Sequence, residues 1–330
     1  MSTPGRIALT GAGSFLGGRL LRRLAESKGE DRLLVLDVAA PPPALGVHHR
    51  ELDLTEPAAD ETLLRVLREE EVDTLAHFAF VTNPRRDSTF AHELESIGTL
   101  SVLAAAAAAG VRRVVMRSFT AVHGARGQNP NFLTEDRPLH PNASLGWVRD
   151  KLEAEQHAAS FARRYPEMAI AVLRFAPLFG PQVRTFYTRV FDKRVVPTLM
   201  GFDPLLQMLH PDDALDAAER ALDRDVRGAF NVVPKAPIPL GAALHLAAKV
   251  PLPVPHPIAY AVCEALWAAG ITEAPAGFLD YVRYPWVADG ARAEKELGFH
   301  ARHSSRDALL AYLRYRHPEA KSAGVSEATA

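Results

Sequence analysis

The chain has 330 residues, 48% of them hydrophobic and 23% charged, enough apolar material for a large core arranged as one major domain and a smaller lobe. A formal net charge of −1 with no block of Lys or Arg argues against a nucleic-acid partner. Cys263 is the only cysteine, which excludes an internal disulfide and a multi-thiolate metal site.

Met1-Ser2-Thr3-Pro4-Gly5-Arg6 runs straight into a short apolar strand, too short for a signal-peptide core. No apolar run is long enough to span a bilayer, so a cytoplasmic protein is expected. In chain order, the pattern predicts a strand over 6–10, a helix over 16–28 and a strand over 32–37, followed by a short segment over 47–52. A helix over 58–71, a strand over 72–79, a long helix over 90–109 and a strand over 111–117 follow. The alternation closes with a helix over 145–164 and a strand over 169–175. Such β-α alternation, with strands that are near-continuous apolar runs, predicts an α/β fold of the Rossmann type, a doubly wound parallel sheet. Ala104–Ala109, stopped by Gly110, reads as a helix face that another helix approaches closely.

After Phe175 the pattern loosens and proline becomes frequent, with seven prolines from Pro234 to Pro257 around a helical stretch over 240–249. The domain expectation is a dinucleotide-binding unit over 1–176, to which segments over about 205–235 return. A smaller, mostly helical lobe covers 177–318, and a disordered tail covers 319–330.

Thr10-Gly11-Ala12-Gly13-Ser14-Phe15-Leu16-Gly17 follows the first strand and opens the first helix. Glycines there allow a tight turn and close approach of backbone to a pyrophosphate resting on the helix N-terminus. Asp37 ends the second strand, 20 residues after Gly17; a carboxylate there accepts both ribose hydroxyls and repels a 2′-phosphate, favouring NAD over NADP.

These residues resemble the extended short-chain dehydrogenases/reductases of the NAD-dependent epimerase/dehydratase type, and the resemblance runs to about Tyr315. Thr10-Gly11-x-x-Ser14-x-x-Gly17 is similar to that family's Thr-Gly-x-x-Gly-x-x-Gly, with Ser14 for the middle glycine. Leu52-Asp53-Leu54 resembles the segment facing the adenine, and Ala76-His77-Phe78-Ala79 the segment lying against the cofactor. Leu209-His210-Pro211-Asp212, Gly228-Ala229-Phe230-Asn231-Val232 and Lys295-Glu296-Leu297-Gly298-Phe299 resemble its later motifs. The resemblance implies NAD as cofactor, held by Gly11, Gly13, Ser14, Phe15, Leu16, Gly17, Asp37, Asp53, Leu54, Phe78, Ala79, Lys151, Ala176 and Pro177. It also implies a homodimer built on the two long helices over 90–109 and 145–164.

The catalytic positions depart from the family. Ser118-Phe119-Thr120-Ala121-Val122-His123-Gly124 aligns with Ser-Ser-x-x-Val-Tyr-Gly, which puts Phe119 where the catalytic Ser or Thr stands. Trp147 replaces the Tyr of Tyr-x-x-x-Lys while Lys151 remains; an indole N–H only donates and cannot relay a proton. Pro177 and Glu95 both stand where the family often has Asn. Lys151 keeps the expected task of bonding the nicotinamide ribose, unless it is an exposed helix lysine. Trp147 is either a core aromatic or a ring stacked near the nicotinamide. Ser118, Thr120 and His123 are the candidates for an unconventional proton donor, with a structural role the stronger reading for His123. Thirteen histidines without a His-x-His or His-x-x-x-His spacing predict no metal site.

The lobe is apolar. A helix over 257–270 and the aromatics from Phe278 to Trp286 either complete its core, the favoured reading, or wall a pocket for a lipophilic small molecule. Tyr187, Tyr281 and Tyr284 lie in the lobe and could reach the catalytic site to take over the proton. A nucleotide-sugar enzyme would instead need cations for a diphosphate, and Arg184, Arg189, Lys193 and Arg194 are available unless they only coat a solvated helix. The expected function is hydride transfer on an alcohol-bearing carbon by an oxidoreductase or epimerase/dehydratase with an atypical acid–base site. The alternative is a catalytically inactive NAD-binding sensor or scaffold.

Overall fold

The computed structural model describes residues 5–142 and 145–317. The tail expected over 319–330 lies outside the described residues. The first half is built of β1 (Arg6–Thr10), α1 (Phe15–Lys28), β2 (Leu33–Asp37), β3 (His48–Glu51), α2 (Ala59–Glu69) and β4 (Val72–His77). Then come α3 (Ser88–His92), a π-helical turn over Glu93–Ile97, α4 (Gly98–Ala109), β5 (Arg113–Phe119), α5 (Gly146–Arg164) and β6 (Ala169–Phe175). The second half adds α6 (Phe186–Val190), β7 (Val195–Leu199), β8 (Leu205–Leu206), α7 (Pro211–Leu222) and β9 (Gly228–Val232). It ends with β10 (Ile238–Pro239), α8 (Leu240–Leu246), β11 (Val250–Val254), α9 (His256–Ala268) and α10 (Ser305–Arg316).

Seven strands form one parallel sheet in the order β3-β2-β1-β4-β5-β6-β9. The order reverses between β1 and β4, and a ligand crevice opens at such a switch point, outside the carboxyl ends of the strands. β9 joins this sheet by pairing in parallel with β6.

Local chemistry sets the boundaries. The Ser14 side chain caps α1 by accepting from the Gly17 N–H, so the serine in the glycine motif starts the helix. Gly110 takes φ 77° after α4, and the N–H groups of Gly110 and Val111 close back on Ala107 and Ala106. That cap absorbs Val111, which is why β5 begins two residues later than the apolar run suggests.

Two large clusters of buried side chains lie on the two faces of the sheet. One is headed by Leu63, Val102 and Leu103 beneath α2 and α4, the other by Leu20, Leu24 and Phe230 beneath α1 and α7. Each fully buried aliphatic chain contributes about 1.5–3 kcal/mol. The alanine face of α4 packs on α2, the close helix approach read from the sequence. The lobe has its own cluster around Phe179, Phe191 and Tyr312. α9, expected mainly as core, has no buried residue; Ile258 and Val262 are exposed. No helix among the described residues is long and apolar enough to cross a membrane.

Candidate active site

At the first half of the crevice, Gly11 sits at φ 78° with its backbone against the end of β4. A Cβ there would fall 2.3 Å from the Phe78 carbonyl carbon and 2.4 Å from the Ala79 nitrogen. Only glycine permits that approach, and it joins the Gly11 turn to the Phe78-Ala79 segment. Gly17 is equally tight, its Cβ position being 2.1 Å from the Gly11 carbonyl oxygen. Leu16 and Gly17 are buried beneath the turn, while Gly13 is exposed. The Asp37 carboxylate accepts from the Gly13 N–H at 2.9 Å and from the Val38 N–H at 2.9 Å, so it stands directly beside the glycine turn. Asp53 accepts from the amide and hydroxyl of Thr55, and Leu54 is buried near Gly98.

These residues fit a dinucleotide. The first-turn N–H groups of a helix lack intrahelical partners, an open glycine lies before them, and a half-buried carboxylate ends β2.

The second half of the crevice is different. Lys151 and Glu95 form an ion pair, both side chains at 0% exposure and Nζ 2.8 Å from each carboxylate oxygen. The π turn between α3 and α4 turns Glu95 inward, where Oε1 also accepts from the Val81 N–H at 2.6 Å. The third bond of Lys151 goes to the Trp147 carbonyl at 3.3 Å. Its three N–H groups are therefore committed, and the expected bond to a nicotinamide ribose has no donor left in this arrangement. Nor is Lys151 the exposed helix lysine of the other reading. Burial lowers its pKa from 10.5 to about 8 against the opposing pull of Glu95, whose own carboxyl burial raises.

Trp147 is a core aromatic, 5% exposed, packed against Phe119, Phe186 and Phe278. Its indole N–H donates to the Val81 carbonyl at 3.0 Å, and the Lys151 ammonium lies 4.0 Å from its ring centroid. The Phe119 ring lies 5.3 Å from that of Trp147.

The candidate proton donors are also held. Ser118 donates to Glu155 at 2.5 Å, and Glu155 takes a bidentate grip from Arg174. Thr120 is buried at 1% exposure in the turn after β5. His123 bonds the Asn231 side-chain oxygen through Nε2 at 2.9 Å. The Asn231 amide donates to the Leu133 and Asp289 carbonyls, which fixes its oxygen as acceptor and places the His123 proton on Nε2. Burial lowers the His123 pKa from 6.5 to about 4, so it is neutral at pH 7.

Between sheet and lobe lies a cavity of about 230 Å³ walled by Pro177, Phe186, Tyr187, Phe278, Tyr281 and Trp286, with further aliphatic residues behind them. No Lys, Arg, Asp or Glu lines it. Arg184, Arg189, Lys193 and Arg194 are all exposed, with Arg189 paired to Glu273. Tyr281 donates to the Ala121 carbonyl at 2.6 Å, and Tyr284 lies outside the lining. The Tyr187 hydroxyl is buried without a partner among the described residues. Phe278, Tyr281 and Trp286, buried with the cluster beneath α2 and α4 rather than with the lobe's own cluster, thus also wall a pocket.

Two features escaped the sequence pattern. His92 on α3 meets Asp150 and Glu153 on α5 at 3.1 and 3.5 Å, a cluster of potential ligand atoms that ion pairing already explains. Arg117 is buried at 2% exposure within β5, where an arginine after Val114-Val115-Met116 was the available signal.

A parallel sheet reversing at β1 and β4, with a glycine turn and an acidic strand end at the switch, defines a Rossmann-type dinucleotide-binding fold. The family model for the NAD dependent epimerase/dehydratase family matches residues 7–232, and the chain belongs to that family. It is 32% identical over 321 residues to protein Rv0501 of Mycobacterium tuberculosis, covering 95% of this chain and 84% of that one. It is 29% identical over 268 residues to the 3-diazoavenalumate denitrifying reductase of a Streptomyces species, covering 75% and 77% of the two chains. Among solved structures, MoeE5 in complex with UDP-glucuronic acid and NAD superposes with a TM-score of 0.72 at 21% identity, covering 96% of this chain and all of that one. UDP-glucose 4-epimerase of Thermotoga maritima gives 0.72 at 17% identity, covering 96% and 99%. These similarities extend the shared fold over nearly the whole chain.

Proposed function

We propose that the chain binds NAD in the crevice and acts as an oxidoreductase by hydride transfer on an uncharged, lipophilic small molecule held in the lobe cavity. The observation that carries this reading is the cavity wall: aromatic and aliphatic, with no cation to receive a diphosphate. NAD binding is supported by the Gly11 turn, the α1 N-terminus and Asp37, and by the family. Against a nucleotide-sugar ligand of the kind bound to structural neighbours, Arg184, Arg189, Lys193 and Arg194 are exposed and none of them lines the cavity. The cofactor would supply or accept the hydride. The protein's own part is to hold the substrate in an aromatic pocket beside Pro177, without the Ser–Tyr–Lys relay. That favours substrates whose reduction takes its proton from water. A name ending in reductase, rather than epimerase, for the Streptomyces relative agrees with this direction.

The test is NADH oxidation at 340 nm across medium-chain and aryl ketones and aldehydes, with UDP-glucose and UDP-glucuronic acid alongside. Turnover confined to the apolar set supports the proposal, and turnover confined to the nucleotide sugars contradicts it.

A second reading, an inactive NAD-binding sensor or scaffold, is favoured by the sealed Lys151–Glu95 pair. On that reading Trp147→Tyr with Phe119→Ser stays inactive until Glu95→Asn releases Lys151, after which NAD-dependent activity appears. Comparable activity in the unaltered protein rules the second reading out.

A further inference from the structure

Arg117 takes no part in anything described so far. It lies near the carboxyl end of β5, with its guanidinium carbon 4.7 Å from the Phe119 ring centroid and Nη2 3.5 Å from the Thr82 hydroxyl. Its Nε and Nη1 are buried without an acceptor among the described residues. Lys151 Nζ stands 5.1 Å from the same Phe119 ring, so two buried cations flank one aromatic side chain. Glu95 exerts its field on both, yet its hydrogen bonds go to Lys151 and Val81. Asp150 also acts on Lys151 and Glu95, but its own contacts are His92 and Arg149. Burial lowers the Arg117 pKa to about 10, which leaves the guanidinium charged at neutral pH.

In this topology the second half of a dinucleotide lies over the carboxyl ends of β4, β5 and β6, where Thr82 and Arg117 are found. The oxidised nicotinamide ring carries a positive charge and the reduced ring does not. We propose that Arg117 is a redox-discriminating residue, making this crevice bind the reduced, uncharged nicotinamide in preference to the oxidised, cationic one. A fixed charge in a water-poor site repels a second cation strongly, because little solvent is left to screen it. The inference rests on the dinucleotide reading under Proposed function and gives it a direction, with reduced cofactor as the resting ligand.

The test is calorimetric titration of the cofactor-free protein, Arg117→Met and Arg117→Lys with NADH and with NAD. We expect NADH to bind the parent at least about tenfold more tightly, equivalent to a shift of about 30 mV in the bound couple. Arg117→Lys should keep that ratio, and Arg117→Met should bring the two affinities within about threefold. Should Arg117→Met fail to fold, the potential of the couple bound to the parent decides, and a value at or below that of the free couple overturns the proposal. Equal affinities in the parent, or an unchanged ratio in Arg117→Met, overturn it while leaving dinucleotide binding intact. Binding of neither form removes both.

Discussion

At Lys151 and Glu95, two charges that would each be costly alone in the interior are hydrogen-bonded to one another and to the Val81 and Trp147 backbone. Glu95→Gln should therefore cost about 3–5 kcal/mol in urea unfolding, and adding Lys151→Met should recover most of it. A single-variant loss under about 1 kcal/mol would show the pair to be unimportant. The pH dependence has a definite sign. Lys151 has a folded pKa near 8, below its unfolded 10.5, so the unfolded chain binds more protons between those values and stability rises with pH across that window. Compared with Lys151→Met, the parent should gain stability from pH 8 to 10, and parallel curves would contradict the assignment. On the acid side, His123 and His77 have folded values near 4 and 3 against 6.5 unfolded. Stability should fall as pH drops from 6.5 towards 4, and His123→Gln should flatten part of that fall in chemical denaturation at stepped pH.

At the level of elements, the glycine turn and the strand that follows α4 show what the sequence could convey. β1 and β6 have the bounds the apolar runs predict, because buried parallel strands carry little else. The start of β5 and the π turn over Glu93–Ile97 depend on hydrogen bonds between residues the pattern treats alike, and neither was legible. The π turn matters most, since it aims Glu95 at Lys151; wider turns of this kind recur where a helix serves a site. The motif positions, Gly11, Asp37, Phe119, Trp147 and Lys151, were all readable as residues. Which way Lys151 turned was not, because that depends on a carboxylate 56 positions away. Gly11→Ala tests the turn: with a positive φ and a backbone contact at 2.3 Å, it should abolish dinucleotide binding in calorimetry and lower the thermal midpoint. Unchanged affinity in that variant would detach the turn from the cofactor site.

At the scale of the whole molecule, the glycine turn and acidic strand end of the family fold stand beside a region of packed aromatics and a closed ion pair. The homodimer suggested by the family resemblance is a proposal, and the apolar side chains of Ile97 and Leu100, 47% and 38% exposed beside α5, are where it would form. Light scattering should then give a dimer that Leu100→Glu converts to a monomer; a monomeric parent removes the proposal. The central claim, that the crevice binds NAD, is tested most directly by calorimetric titration with NAD and NADP after any co-purifying dinucleotide is removed. The account predicts that NAD binds and that NADP binds at least about tenfold more weakly, through repulsion of its 2′-phosphate by Asp37. Binding of neither, with no dinucleotide recovered from the purified protein, would contradict it.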